Sequence, residues 1–300
     1  MPDAIIWRYN ITYVPGVFNP KKIIPRVIFI TEHQAKEIEE LQGSRAGRLL
    51  APLIAWNGNH VLRKVDGIIG VTSEIASYEY NLIRRDIPYF TLTNSIRVQN
   101  YPLKKSTRTA NDLLRMLYVG SHTASWQGLD RILAGMSAFK DDTKLELHIA
   151  GILDADIAKL IESLHLRDRV IVHGYKTDRE LDCLFDLCDL AIGTLGMHRK
   201  DLVYGSTLKV REYMARGIPF IISYKDEDIA QNFPYILHAP ADDTPIDFSK
   251  VMAFIKGLRK YRAESISTAM RDYASEHMDY EAKAHRLLAF IKSLVPATGT

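Results

Sequence analysis

Short apolar runs alternate with stretches of helical period along most of this 300-residue chain. The runs predict ten strands: Ile5–Tyr9, Arg26–Thr31, Gly67–Thr72, Tyr89–Thr93, Met116–Gly120, Leu145–Ala150, Val170–His173, Leu190–Gly193, Phe220–Ser223 and Tyr235–His238. Several are apolar throughout, as strands of a parallel sheet covered on both faces must be. Strand and helix in alternation imply right-handed crossovers and doubly wound sheets. From Asn94 to Leu114 the pattern lapses into polar, non-periodic sequence, the best candidate for an interdomain linker, with four strands before it and six after. Four strands make a thin first domain. After Asp247 the pattern is helical only, and the segment Tyr280–Leu294 carries apolar residues at helical spacing that could dock on either domain.

Composition narrows the classes. With 47% hydrophobic residues the chain is not disordered. The net charge of +3 is too mild to argue for nucleic acid, and leaves room for an anionic ligand or an anionic membrane surface. Lys21-Lys22 and Lys104-Lys105 are too short for a polybasic anchor. No apolar run reaches the ~18 residues that span a bilayer, and the first ten residues do not read as a signal peptide. Cys183 and Cys188, without further Cys or His neighbours, read as reduced helix-core thiols rather than a metal site. Motifs of P-loop enzymes, zincins, α/β-hydrolases and strand-anchored dinucleotide sites are absent.

The chemistry gathers at strand ends. Between Gly205 and Pro219, Ser206 or Thr207 can cap a helix that Gly217 and Pro219 terminate. The helix start would bring free N–H groups, two hydroxyls and the Lys209 ammonium together, a ready site for a diphosphate. Glu212 follows on the same helix, within reach of a sugar hydroxyl. Gly120 ends one strand and leads into the polar loop Ser121–Gln127. Gly174-Tyr175-Lys176 ends another, where Tyr175 could meet a flat ring. Gly193, Thr194 and Gly196 end a third, where missing side chains would let a ligand approach the backbone. Glu32 and His33 end a strand of the first half, placed for acid/base work or for holding a sugar hydroxyl. Each of these loops, taken alone, also reads as an ordinary connection, and for the Gly174–Lys176 turn and the Glu32-His33 pair a capped turn or helix start is the favoured account.

Together they resemble a known family. Leu117-Tyr-Val-Gly with Trp126-Gln-Gly-Leu-Asp-Arg131, Leu147-His-Ile-Ala-Gly151, Val172-His-Gly-Tyr175 and Ser206-Thr-Leu-Lys209 through Pro219 follow, in order and spacing, the motifs of group 1 retaining glycosyltransferases of family four. The resemblance implies an α/β GT-B-like fold: two Rossmann-like domains with a ligand cleft between them, the first apparently truncated. The domains would be 1–105 (partial, acceptor-side), 106–280 (nucleotide-sugar-binding) and 281–300 (helix and tail). It implies transfer of a sugar, with retention, from a nucleotide-sugar donor to a glycan or lipid-linked acceptor. Neither a metal nor a cofactor beyond the donor is implied. Catalytic candidates are Glu32 and His33. Donor-binding candidates are Gly120, Ser121, Gln127, Tyr175 (base), Gly193, Thr194, Ser206, Thr207, Leu208, Lys209 (diphosphate) and Glu212 (ribose). Three positions depart from the family pattern. Tyr204 replaces the first glutamate of its E-x7-E motif, Ser121 its usual arginine and Gln127 its usual lysine. Diphosphate charge would then rest on Lys209, the helix N-terminus and Arg199 or Lys200. Alternatives are a non-catalytic nucleotide-sugar-binding subunit or one half of a split transferase, with a partner chain if the first domain is incomplete, and a nucleotide-sugar epimerase. A cytoplasmic location, with peripheral contact at the inner membrane face left open, follows from the same resemblance.

Overall fold

A computed structural model describes residues 3–9, 20–42, 47–52, 55, 62–83, 85–105 and 113–295. The chain divides into two compact units, Met1–Asn94 with Glu281–Thr300, and Ser95–Tyr280. All ten expected strands form. They are β1 (Ala4–Arg8), β2 (Ile28–His33), β3 (Gly67–Gly70), β4 (Tyr89–Thr91), β5 (Leu113–His122), β6 (Lys144–Ile152), β7 (Val170–Gly174), β8 (Leu190–Ile192), β9 (Phe220–Ile222) and β10 (Ile236–His238). Every ladder is parallel.

The first unit has the strand order β1-β2-β3-β4. Helices α1 (Pro20–Ile23), α2 (Glu37–Gln42) and α3 (Ser73–Ile83) belong to it. One face of the sheet packs Phe29 and Ile68 with Leu62, Val65, Ile83 and Ile87. The other face, Ile28, Ile30 and Ile69, is covered from the far end of the sequence by Leu287, Phe290 and Ile291 of the last helix and by Leu294 just after it. Phe290 stacks on Phe90 at 5.1 Å between centroids, and Lys283 Nζ donates to Thr93 Oγ1 at 2.5 Å and to Asn94 O at 2.9 Å. A Cβ on Gly67 would fall 2.9 Å from Leu294 Cδ1 and 3.0 Å from Phe290 Cζ, so the side chains of the helix lie close over this strand. Both faces of a thin sheet are thereby kept from water.

In the second unit the order is β10-β9-β8-β5-β6-β7. Renumbered from its own first strand, this is the Rossmann order 3-2-1-4-5-6, with the topological switch between β5 and β8. Helices α4 (Leu129–Ala138), α5 (Ala155–Ser163), α6 (Asp178–Leu187), α7 (Leu208–Arg216), α8 (Phe248–Leu258) and α9 (Ala263–His277) flank it. The last helix, α10 (Tyr280–Ser293), leads from this unit into the first. The core runs through Leu114, Met116, Tyr118, Leu147, Ile149, Leu190, Ile192 and Ile221 with the facing sides of α4 and α8.

The division falls at Asn94/Ser95, ahead of the expected 105/106. Residues 95–105 are bound to the second unit by their backbone. Ile96 N donates to Met278 O, Lys104 N donates to Arg216 O, and Arg271 donates to the carbonyl of Tyr101. The rest of the expected linker, 106–112, lies outside the described residues. Cys188 is buried as expected, whereas Cys183 is exposed. No described helix is long and apolar enough to cross a membrane.

Candidate nucleotide site

Beyond the carboxyl ends of β5, β6 and β7 lies a cavity of about 600 Å³. Val119, Gly120 and Ser121 form its edge at β5, Ala150 at β6, and the turn from Tyr175 to Asp182 at β7 and α6. Glu212 and Arg216 of α7 close one side, and Asn100, Tyr101 and Pro102 another. Four residues singled out in the sequence, Gly120, Ser121, Tyr175 and Glu212, therefore converge from three segments. Tyr175 is 72% exposed, so its ring is open to stacking. Its turn starts at Gly174, whose φ of +70° favours glycine.

Glu212 accepts from Arg216 Nε at 2.8 Å, and Arg216 also reaches Asp182 at 2.6 Å. Burial pushes the Glu212 carboxyl up, and Arg216 pulls it back toward the ionised form. The guanidinium lies over Phe185 at 4.4 Å and over Tyr101 at 5.4 Å. A carboxylate held this way keeps lone pairs for a hydroxyl donor. The sequence reading missed Asn100, Tyr101, Asp182 and Arg216. The pair Glu212/Arg216 at i,i+4 was the available signal.

The remaining donor-binding candidates do not line this cavity. Lys209 is partly buried and turned inward: Nζ donates to Gln127 Oε1 at 2.7 Å and sits 4.2 Å from the centroid of the Tyr118 ring. Desolvation pulls its pKa down to about 7. Gln127 is itself buried and also accepts from the buried Thr194 Oγ1 at 3.2 Å. Gln127 and Thr194 thus hold Lys209 instead of facing a ligand, a correction to the direct role expected of them. Gly193 is corrected too. A Cβ there would meet Ile222 Cγ2 at 2.5 Å, so this glycine serves strand packing and not ligand approach.

At the start of α7 the hydroxyls have internal partners. Ser206 Oγ accepts from Arg211 at 2.7 Å, and Thr207 Oγ1 lies 2.9 Å from Tyr224 Oη. Thr207 is the N-cap but makes no side-chain cap bond, and Leu208 is 62% exposed. Arg211, missed in the sequence, is wholly buried and bonded to Asp226 at 2.5 and 3.0 Å and to Asp228 at 2.7 Å. Arg199, expected as a reserve phosphate ligand, is instead forked onto Asp130 at 3.0 and 2.7 Å and bonded to Asp243. Lys200 lies 4.5 Å over the ring of Trp126. At the position of the missing glutamate, the loop of Tyr204 bridges to Lys225, whose ammonium is 5.9 Å from the Tyr204 ring.

In the first unit β2 runs two residues further than expected, so Glu32 and His33 lie in the strand. Glu32 is half-buried and accepts from Gln34 at 2.7 Å. His33 is wholly buried, stacked on Tyr9 at 4.7 Å. Its Nδ1 is 3.5 Å from both Glu37 Oε2 and Glu79 Oε2, and its Nε2 is 3.1 Å from Thr31 Oγ1. In this arrangement His33 has no surface for a sugar, contrary to the role expected of it. Burial, then the neighbouring Glu37 charge, pushes the Glu79 carboxyl far up. His33, Glu37 and Glu79 are the grouping of possible metal ligands among the described residues.

Residues 114–252 match the family described as Glycosyl transferases group 1. The sucrose-phosphate synthase of Thermosynechococcus elongatus is similar in structure, with a TM-score of 0.67 and 15% identity over 92% of this chain and 70% of that one. HepE of Anabaena in complex with UDP-glucose gives 0.62 and 13% over 91% and 74%. A glycosyltransferase of Rickettsia africae gives 0.52 and 12% over 99% and 100%. At such identities the likeness establishes the fold, GT-B. No match is found among curated protein sequences.

Proposed function

From the match of residues 114–252 to the group 1 glycosyltransferase family, we propose that the chain moves a sugar from a nucleoside-diphosphate sugar to a hydroxyl of a glycan or lipid-linked acceptor, with retention. The observation that carries this is the convergence of Gly120, Ser121, Tyr175 and Glu212 on one cavity at the strand ends of a Rossmann sheet, beside its switch point. Tyr175 stacks on the base, and the Glu212 carboxylate accepts from the ribose hydroxyls. HepE, of the same fold, is described in complex with UDP-glucose.

Lys209 serves the diphosphate. Its ammonium is held only weakly, by an amide oxygen and a ring face, and burial makes the charge costly. A diphosphate offers what that cation lacks, and an ion pair replaces a bond to a neutral amide. As the sugar–oxygen bond breaks, negative charge grows on the β-phosphate while the anomeric carbon becomes cationic. The ammonium and the α7 N–H groups stabilise the former. The departing phosphate oxygen then takes the proton of an acceptor hydroxyl attacking from the same face, which gives retention. No metal is required by this scheme.

One observation favours a binding-only reading: Ser121 and Gln127 are neutral, and Arg199 is committed to Asp130, so Lys209 carries most of the charge. A donor screen that follows UDP or GDP release, with and without acceptor, separates the two. Release that Glu212→Ala and Tyr175→Ala both abolish supports transfer, whereas tight binding of a donor without release by any acceptor supports the binding subunit. Failure of every nucleotide to bind refutes both.

A further inference from the structure

Three side chains from three elements of the first unit converge on one point. His33 comes from the end of β2, Glu37 from the first turn of α2 and Glu79 from α3. His33 Nδ1 lies 3.5 Å from an oxygen of each glutamate, and the three ligand atoms all fall within 4.8 Å of one another. An N–H···O bond is normally about 2.7–3.2 Å long, so Nδ1 stands too far off for a full bond to either carboxylate. Two atoms bound to one tetrahedral zinc, each roughly 2.0–2.1 Å from the ion, are about 3.4 Å apart. The spacing is that of ligands sharing an ion.

Orientation and charge point the same way. His33 Nε2 lies 3.1 Å from the hydroxyl of the buried Thr31. A neutral ring that donates there turns the Nδ1 lone pair on the two carboxylates, which repels them unless a cation sits between. Metal-bound histidines are commonly held through their other nitrogen in this way. The side chains of His33 and Glu79 are 0% and 3% exposed, so water cannot answer the charge. Among the described residues neither glutamate is paired with a lysine or arginine. Lys36, close by in sequence, instead reaches Glu74 at 2.9 Å and Glu39 at 3.8 Å.

We propose that His33, Glu37 and Glu79 bind a single Zn2+ ion that pins α2 and α3 to the end of β2. One imidazole and two carboxylates suit zinc, whereas Ca2+ and Mg2+ call for a shell of oxygens alone. Glu37, whose side chain is 13% exposed, marks the side from which the ion and a water for the fourth position enter. The site stands apart from the glycosyl-transfer reading, which uses none of these residues. Zinc binding by the full chain, freed of metal with EDTA, tests it. The chain should take up one Zn2+, and its melting temperature should rise with zinc concentration. Mg2+ or Ca2+ at the same concentration should give no such rise. Glu37→Gln and Glu79→Gln keep side-chain size, and each should weaken zinc binding at least about tenfold. Cooperative melting in EDTA certifies the fold of both. Should neither variant fold, imidazole NMR of the parent decides, because zinc must shift His33 Nδ1. The proposal is overturned if the chain takes up no zinc, which leaves the carboxyls to share a proton. It is equally overturned if Mg2+ protects as well as zinc, if either variant binds zinc like the parent, or if His33 does not move.

Discussion

Helix α7 carries two cations two residues apart, and they meet opposite conditions. Arg211 is fully buried and fully neutralised, with Asp226 and Asp228 on its guanidinium and Ser206 beside them. Lys209 has an amide oxygen and a ring face, and desolvation takes its pKa down to about 7. The first arrangement is closed and can only hold the loop before α7 to the loop after β9. The second is a cation still wanting an anion. Among the described residues Arg211 has answering carboxylates and Lys209 has none, and that contrast, more than position near a helix start, is why the diphosphate role is proposed for Lys209.

The sharpest break is at Arg211. Arg211→Met would strand two carboxylates in the interior, and losing one partner of a buried ion pair costs about 3–5 kcal/mol. Urea unfolding should show that loss, or yield no folded protein. A loss below about 1 kcal/mol would mean that the network is not structural, and the contrast would fail.

Lys209→Met should act in the other direction on stability and strongly on binding. The parent lysine gives up its proton near pH 7 when folded, but near pH 10.4 when unfolded. The unfolded chain binds more protons between these values, so stability rises with pH across that window. Below pH 7 the folded ammonium is a standing penalty. Methionine removes it, and a gain of roughly 1–2 kcal/mol is expected at pH 6, fading toward pH 10. UDP affinity should fall about 10- to 100-fold, the value of a charge-assisted contact. Calorimetry showing unchanged affinity would remove Lys209 from the diphosphate site.

The first unit adds a buried carboxyl to the comparison. Glu79 shares its site with Glu37 and with His33, and Glu39 adds to the same repulsion. Its folded pKa is raised, so the folded state holds the extra proton and stability falls as pH climbs above the unfolded value of about 4.3. Glu79→Gln keeps the shape and drops the charge. It should flatten that decline, with a gain of about 1–2 kcal/mol at pH 9 and little change at pH 5. Thermal unfolding at both values reads it. If a steep decline persists in the variant, the proton is held elsewhere.

How far the sequence foretold these sites depends on the range of the contacts. The ten strands and the α7 boundaries were legible because period, glycine stops and apolar runs are local. So were Gly120, Ser121, Tyr175 and Glu212, since each sits where its own strand or helix puts it. Tyr101 was not, because its segment owes its place to Arg216 and Arg271, more than a hundred residues away. Arg199 was misjudged for the same reason: Asp130, its partner, is 69 positions distant. Gln127 and Thr194 looked like loop residues open to a ligand, yet the loop folds inward and they spend their polar atoms on Lys209 and each other. Local pattern reports the scaffold. Which polar groups remain available is decided by distant partners.

The subtlest test concerns the proton on Lys209 when nucleotide binds. A diphosphate favours the ammonium, so the bound pKa must lie above the free value of about 7. Between pH 7 and the bound value the complex holds a proton that the free protein lacks. UDP affinity should therefore decline with rising pH across this range, by at most tenfold per unit. The terminal phosphate of UDP titrates near pH 6, so measurements from pH 7 to 9 isolate the lysine. Calorimetry at pH 8 in buffers of different ionisation enthalpy should show uptake of close to one proton, and Lys209→Met should show none. Equal affinity at pH 7 and 9 would mean that the ammonium stays on Gln127 and Tyr118 when the nucleotide arrives. The difference between Lys209 and Arg211 would then be one of packing alone.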